Sequence, residues 1–154
     1  MKFRKALYDD WEFIRNLRNQ LKDHFISKHE ITKEEHQQFM INNLNCYYVA
    51  EIPWEEGGTD IRHGFIGVVV TKDGYQDIRF AIDPRLQGRG LGTEMLKFIG
   101  KEFPYAIGKV SKDNIASNKA FEKAGFELFK ENDKFKYWVS HFDDYRIWDG
   151  IDEN

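Results

Sequence analysis

Apolar residues recur along the chain with two different periods, and each period predicts one type of element. In the segment 9–21, a helical spacing brings four apolar residues near one face: Trp11, Ile14, Leu17 and Leu21. A second helix is predicted from Thr32, because Thr32 and Glu35 have the spacing of a capping box. Runs rich in β-branched and aromatic residues predict strands at 3–8, 46–52, 63–71, 75–82, 105–110, 126–130 and 135–142.

The second half of the chain adds a hairpin and two more helices. Asp73-Gly74 stands between two strand-like runs and predicts a tight hairpin turn. Apolar spacing predicts a helix over 91–103, and a second helix over 114–125 ends at a glycine typical of helix C-termini. The predicted order is therefore β-α-α-β-β-β-α-β-α-β-β, which favours an α/β fold with a mixed sheet and helices on its faces. No linker or repeat interrupts residues 1–154, so a single domain is expected.

Three glycines open the helix predicted at 91–103, in the segment "RLQGRGLGTEML" of residues 85–96. A glycine-rich segment between a strand and a helix leaves unpaired backbone N–H groups near the positive end of the helix dipole. Without a β-carbon, an anion can reach those groups directly. The segment predicts a phosphate or diphosphate ligand. It lacks the Gly-Lys step of a P-loop, and its spacing is not that of a dinucleotide-binding fold, so ATP and NAD are not expected.

Composition narrows the class of protein. The apolar share of 41% and charged share of 32% are ordinary for a soluble domain of 154 residues. A net charge of −3 does not favour nucleic-acid binding. Apolar runs are too short to span a bilayer, the first residues lack a signal-like apolar segment, and a single cysteine fits a reducing compartment. A cytoplasmic protein with no metal, nucleic-acid or membrane partner is expected.

Two motifs resemble those of the GNAT family of N-acetyltransferases. The pattern Gln87-x-x-Gly90-x-Gly92 after "FAIDPRL" resembles the family's acyl-CoA-binding signature. The segment "VSKDNIASNKAFEKAGF" resembles its second motif, carried here by Asn114, Ser117, Phe121, Gly125 and Phe126. The resemblance covers nearly the whole chain and implies the GNAT acyl-CoA N-acyltransferase fold, with a bulge in the strand at 75–82 and a splay between the strands near 75–82 and 105–110.

The resemblance implies an enzyme that binds acetyl-CoA as cosubstrate. The pantetheine arm would lie along Phe80, Ala81 and Ile82, and the Ile82 amide would hold the thioester oxygen as an oxyanion donor. The diphosphate would bind amides of the glycine segment, and the second motif would add three residues. The expected cofactor residues of these two motifs are Gln87, Gly88, Arg89, Gly90, Leu91, Gly92, Thr93, Asn114, Ser117 and Phe121.

Some of these residues have simpler interpretations. Arg85 and Arg89 either face phosphates or are solvated loop residues. Asn114 is a good helix N-cap, a role compatible with ligand binding, and Ser117 is favoured as a packing residue. Many family members have tyrosine at the position of Phe121, where its hydroxyl protonates the leaving thiolate. Phenylalanine cannot do so, but a thiol with a pKa of about 8.5 leaves without such help.

Acetyl transfer to an amine is helped by a base, since an alkyl ammonium with a pKa of about 10.4 is mostly protonated at pH 7. Asp77, on the strand before the glycine segment, is the first candidate, followed by Glu51, with His36 on the second helix as a third. Each also has a plain interpretation as a surface charge or a structural hydrogen-bonding group.

The first two predicted helices contain residues that indicate which amine accepts the acetyl group. "LRNQL" and "ITKEEH" resemble a subgroup that acetylates amino sugars on nucleotides, through Arg18, Asn19 and His36. Arg18 would meet a phosphate and His36 a sugar or base; the alternative is an exposed helix end and a helix-face histidine. A local basic patch of Arg15, Arg18 and Lys22 would favour the nucleotide sugar, whereas the acidic net charge favours a cationic acceptor.

The leading hypothesis is an acetyl-CoA-dependent N-acetyltransferase of a small primary amine, with an amino sugar on a nucleotide as one acceptor, acting by direct attack on the thioester. Alternative acceptors are a protein N-terminus, a polyamine or an aminoglycoside. An alternative of another class is a non-catalytic acyl-CoA-binding module, for which Phe121 is the main support. A homodimer is left open.

Overall fold

A computed structural model of the chain describes residues 1–53 and 60–140. The last two residues of the strand predicted at 135–142 lie outside these residues. Within them the elements are β1 Lys2–Lys5, α1 Trp11–Gln20, α2 Lys33–Asn43, β2 Tyr47–Ile52, β3 Ile61–Val70, β4 Gln76–Ile82, α3 Leu91–Glu102, β5 Ile107–Ser111, α4 Ile115–Lys123, β6 Glu127–Glu131 and β7 Phe135–Val139.

The predicted order of helices and strands is confirmed. The strands follow the order β1-β2-β3-β4-β5-β7-β6 in a mixed sheet. The β4–β5 pair is parallel, whereas β1–β2, β2–β3, β5–β7 and β6–β7 are antiparallel. None of the helices in the described chain is both long and apolar enough to cross a membrane.

The predicted end of the first strand is wrong. The first strand was expected at 3–8 but ends at Lys5. The Asp10 carboxylate accepts a hydrogen bond from the Leu7 amide at 2.8 Å, and the Asp10 amide donates to the Leu7 carbonyl. These two bonds turn the chain into a 3₁₀ turn over Tyr8–Asp10, so Leu7 and Tyr8, which suggested a longer strand, are exposed instead.

The described residues form two compact units. The first consists of residues 1–67 and 80–89. Its core includes Ile14 and Leu17 of α1 and Met40 of α2, all nearly inaccessible to solvent. Tyr47 stacks on Phe65 with ring centroids 5.9 Å apart. Each such apolar side chain contributes about 1.5–3 kcal/mol when fully buried.

The second unit consists of residues 68–79 and the described residues from 90 onward. Ile107, Tyr137 and Val139 form a buried cluster between β5 and β7. The hairpin predicted at Asp73-Gly74 is confirmed by the hydrogen bond from the Thr71 amide to the Tyr75 carbonyl.

Candidate functional site

The glycine segment has the backbone geometry of an anion-binding loop. Gly88 and Gly90 have φ angles of 81° and 77°, and Gly90 is the N-cap of α3. A β-carbon built at either glycine would meet nothing within 4 Å. The left-handed backbone, and not a lack of room, is therefore what requires glycine at these positions.

The amide groups of this segment are available to a ligand. Within the described residues, none of the seven N–H groups from Gln87 to Thr93 has a hydrogen-bond acceptor, and the first bonded amide is that of Glu94, which donates to the Gly90 carbonyl at 3.3 Å. The segment is exposed or half-buried throughout. Unpaired amides at a helix start attract oxyanions, so a diphosphate fits this segment.

The two loop arginines differ. Arg85 forms an ion pair with Asp83, with Nη2 2.6 Å from Oδ2, and the same carboxylate accepts the Arg85 amide at 2.9 Å. These hydrogen bonds hold the pKa of Asp83 below its ordinary value. Arg89 is exposed and makes no ion pair within the part of the chain that the structure describes. Arg89 is thus the cation that remains available to a phosphate.

Strands β4 and β5 are splayed as expected. They pair at one position, Asp77 with Ile107, within the described residues. By contrast, β5 pairs with β7 along its whole length. In the described residues the ladder between β4 and β5 is therefore confined to this one position.

The second motif forms the turn between β5 and α4. The Asn114 side chain accepts a hydrogen bond from the Ser117 amide at 3.2 Å, so the N-cap role is present. At the other end of α4, Gly125 and Phe126 donate to the carbonyls of Glu122 and Phe121, which closes the helix. Ser117 is half-buried.

Phe121 does not lie on an open surface. Its side chain is 1% exposed, stacks on Trp138 with centroids 6.3 Å apart, and meets Phe126 edge-to-face at 5.1 Å. The ring also covers the backbone of Gly108. Phe121 was expected to line the cofactor pocket, but its ring is instead part of the hydrophobic core. Its position on the buried face of α4, with Asn118 three residues earlier, was the available sequence signal.

Asp77 is a buried carboxylate with incomplete hydrogen bonding. Its side chain is 14% exposed, Oδ2 lies 3.3 Å from Arg79 Nε, and Oδ1 has no hydrogen-bond partner in the described chain. Burial raises the pKa of Asp77 to about 6, against the opposing charges of Arg79 and Lys109. An acid with this pKa is ionised at pH 7 and able to take up a proton, as a general base must.

Glu51 is engaged elsewhere. Arg4 donates to both Glu51 and Asp10, and Asp10 also pairs with Arg62 at 3.3 Å. Glu51 and Asp10 are buried, at 8% and 2% exposure. This network joins β1, β2 and β3 with the turn before α1, so Glu51 serves the first unit as a structural ion-pair partner.

The predicted acceptor residues hold the first two helices together. Arg18 is 8% exposed, donates to the Ser27 carbonyl at 2.5 Å and lies 4.7 Å from the Phe25 ring centroid. The Asn19 side chain both donates to and accepts from the backbone of Ile31, at 2.9 and 2.8 Å. An exposed helix end is therefore wrong for Arg18, and both side chains are occupied by the loop between α1 and α2.

His36 is buried, at 6% exposure, and hydrogen-bonds to the backbone of Trp11. Burial lowers the pKa of His36, so the ring is neutral at pH 7. Arg15 donates to the Ile31 carbonyl and to Glu12, at 3.3 and 2.8 Å. Of the basic patch expected from Arg15, Arg18 and Lys22, Arg15 pairs with Glu12, Arg18 is buried against the Ser27 carbonyl, and Lys22 is half-buried.

Sequence reasoning missed Asn118, which is buried on α4. It accepts a hydrogen bond from Trp138 Nε1 at 2.9 Å and donates to the carbonyls of Ser111 and Asn114, each at 3.0 Å. Its position four residues after Asn114 was a local signal, but Trp138 lies 20 residues away. Across residues 1–53 and 60–140, no group of three or more His, Cys, Asp or Glu side chains is arranged to hold a metal ion.

Comparison with known proteins identifies the fold. A domain from Methanocaldococcus jannaschii superposes with a TM-score of 0.73 at 22% identity, covering 90% of this chain and 96% of that one. The Salmonella typhimurium protein yncA, solved with its cofactor acetyl-CoA, gives 0.71 at 14% identity over 94% and 95%. Spermidine N-acetyltransferase from Vibrio cholerae, in complex with CoA and spermine, gives 0.63 at 16% identity over 90% and 91%.

No curated protein matches the sequence. The family model described as "Acetyltransferase (GNAT) domain" matches residues 43–128, which include both motifs as far as Phe126. The match spans more than half of the chain, and the sheet order and splay agree with it. The chain is an acetyl-CoA-dependent N-acetyltransferase and belongs to the GNAT family.

Proposed function

We propose that this acetyltransferase acts on a small cationic primary amine, with Asp77 as the general base. The observation that carries the proposal is the state of Asp77, a buried carboxylate on β4 whose Oδ1 lacks a partner among the described residues. An anionic group of this kind attracts an ammonium ion and accepts its proton.

The proposed reaction needs no covalent enzyme intermediate. Asp77 takes a proton from the ammonium group, directly or through water, and the freed nitrogen attacks the thioester carbon. The C–S bond then breaks, the acetylated nitrogen releases its second proton to solvent and becomes an amide, and the thiolate of CoA takes a proton from solvent. Ile82 is proposed to donate its amide to the thioester oxygen, a contribution of about 3–4 kcal/mol where such donors have been removed.

Acetyl-CoA is proposed to bind through backbone and side-chain groups of both motifs. The diphosphate is assigned to the open amides from Gln87 to Thr93, with Arg89 adding charge. Phe80, Ala81 and Ile82 are assigned to the pantetheine arm by family resemblance, and Asn114 is assigned to its polar groups. Arg85 is left out, because Asp83 already neutralises it.

A cationic acceptor is favoured over an amino sugar on a nucleotide. The two arginines that would bind a nucleotide phosphate, Arg15 and Arg18, are engaged by Glu12 and by the carbonyls of Ile31 and Ser27. The net charge of −3 also suits a cation. One of the similar structures is a spermidine N-acetyltransferase, which agrees with this class at the level of fold alone.

A thiol-release assay tests the acceptor class. Purified protein with acetyl-CoA is offered spermidine, a nucleotide-linked amino sugar, an aminoglycoside and a peptide with a free N-terminus, at equal concentrations. The proposal predicts the highest kcat/KM for the small polycation. Exclusive turnover of the nucleotide sugar contradicts the acceptor class. Turnover of spermidine that Asp77→Asn leaves unchanged contradicts the assignment of the base.

A further inference from the structure

The turn between β5 and α4 is held by one buried side chain. Asn118 is 9% exposed, and every polar atom of its side-chain amide is engaged. Nδ2 donates to the carbonyls of Ser111 and Asn114, at 3.0 Å each, and Oδ1 accepts from Trp138 Nε1 at 2.9 Å. A donor facing two carbonyls and an acceptor facing an indole N–H fix the orientation of this amide.

These bonds act on both ends of the turn. Ser111 is the last residue of β5 and Asn114 is the cap of α4, so Asn118 connects the strand to the helix start. Trp138 belongs to β7, the neighbour of β5 in the sheet. The link from Trp138 to Asn118 therefore anchors the turn to the sheet. Buried networks with every partner satisfied restrict a segment to one conformation.

The conformation of this turn determines which polar atoms of Asn114 are available to a ligand. Asn114 Oδ1 is occupied by the Ser117 amide, at 3.2 Å. The Asn114 amide donates to the Ser111 carbonyl, at 3.0 Å, and its own carbonyl accepts from Asn118. Asn114 Nδ2 has no acceptor in the described chain, so it is the donor available to an amide carbonyl of the pantetheine arm.

We infer that Asn118, anchored by Trp138, is a positioning residue for the pantetheine arm of acetyl-CoA, and that it works by fixing the Ser111–Asn114 turn. The inference rests on the proposed assignment of Asn114 to that arm. Loss of Asn118 is therefore expected to weaken binding of the pantetheine arm but not binding of the nucleotide half of the cofactor.

Two variants separate the hydrogen bonds that Asn118 makes to the turn from the one that it accepts from Trp138. Asn118→Asp keeps the acceptor for Trp138 but places a carboxylate against two carbonyl oxygens. The repulsion between these oxygens is expected to displace the Ser111–Asn114 turn. Trp138→Phe keeps one six-membered aromatic ring and removes the N–H donor together with the five-membered ring of the indole. Ser140→Ala is a matched control in the same unit, because Ser140 follows the last residue of β7 and its Oγ donates to the Pro104 carbonyl at 2.7 Å, not to a group of the Asn118 turn.

Calorimetric titration with CoA and with adenosine 3′,5′-bisphosphate, which lacks pantetheine, measures the selectivity. The expected result is a CoA Kd raised about tenfold by Asn118→Asp and about threefold by Trp138→Phe, with the bisphosphate Kd unchanged. In steady state, KM for acetyl-CoA rises while kcat and the amine KM stay near wild type. Ser140→Ala lowers the melting temperature without changing either Kd.

The outcomes distinguish this inference from the proposed function. If Asn114→Ala weakens CoA binding but Trp138→Phe and Asn118→Asp bind as wild type, the positioning role is overturned and the cofactor site stands. If Asn114→Ala itself binds CoA normally, the assignment on which the inference rests is wrong. Should Asn118→Asp fail to fold, Trp138→Phe decides, since equal losses for CoA and the bisphosphate mark a general structural effect and overturn the inference.

Discussion

The tip of the Phe121 ring lies against Gly108, and a β-carbon at Gly108 would overlap it. Helix α4 therefore packs on β5 by placing an aromatic ring where the strand has no side chain. Trp138 stacks on the same ring, with an interplanar angle of 11°. The position where many family members carry a tyrosine is, in this chain, the centre of a packed aromatic cluster.

Phe121→Tyr tests whether this position is part of the core or of the chemistry. The added hydroxyl has no room against Gly108, so the variant is expected to lose about 1–3 kcal/mol of unfolding free energy. It is not expected to raise kcat. Urea unfolding and steady-state kinetics check both points, and a stable variant with kcat raised tenfold or more would show that a missing acid limits this enzyme.

Asp77→Asn tests the proposed base. Loss of a general base typically costs 10²–10⁴-fold in rate, so kcat is expected to fall by about that factor. The wild-type rate should rise with pH through about 6, where Asp77 loses its proton, and the variant should lack this limb. Asp73→Asn, on the exposed turn of the same hairpin, is the matched control. A wild-type pH profile that persists in Asp77→Asn removes Asp77 from the mechanism.

Asp77 also predicts a pH effect on stability. Its pKa is about 6 in the folded protein and 3.8 as the ordinary value, so the folded state binds more protons between these pH values. Wild-type stability is therefore lost as the pH rises through this window, by on the order of 3 kcal/mol. The stability of Asp77→Asn relative to wild type should increase from pH 4 to pH 6 and then stay level. Urea unfolding measures the difference in unfolding free energy between Asp77→Asn and wild type. A difference that stays constant across this pH range contradicts the burial of a charged carboxylate.

Asp10→Asn tests the ion-pair network of the first unit. Burial opposes the charge of Asp10, but hydrogen bonds from Arg4 and the Leu7 amide hold the pKa of this carboxyl below its ordinary value. Its stabilising effect is present above the unfolded pKa and is lost as the pH falls. Breaking one partner of a buried pair costs about 3 kcal/mol at pH 7, and the loss should shrink below about pH 4. Asp9→Asn, exposed and adjacent, should change stability little.

The parts of the fold that the sequence predicts are those with local signals. The Thr32 and Glu35 spacing predicts the cap of α2, and the Glu35 amide does donate to Thr32 Oγ1 at 3.2 Å. Asp73-Gly74 predicts the hairpin, and the glycine segment predicts open amides before α3. In each case the residues that decide the structure lie within a few positions of one another.

The parts that the sequence does not predict depend on partners far apart in the chain. Arg4 meets Glu51 across 47 positions, and Trp138 meets Asn118 across 20. Arg18 is instructive because it stands four residues after Ile14, on the apolar face of α1, and is buried there. Its charge suggested a phosphate ligand, but its helical position already indicated a structural role. Asn19 has no comparable local signal, since its partner Ile31 lies across a loop.

The proposed binding of CoA depends above all on the left-handed glycines that open the amides from Gln87 to Thr93 to its diphosphate. Gly90 and Gly74 have similar φ angles, 77° and 85°, and both have open space around the β-carbon position. Alanine at either position should therefore cost a similar 1–2 kcal/mol or so of stability. Calorimetric titration with CoA should show binding weakened at least tenfold in Gly90→Ala and unchanged in Gly74→Ala. Equal CoA affinity in the two variants, or no affinity in the wild type, would contradict binding of the diphosphate by these amides.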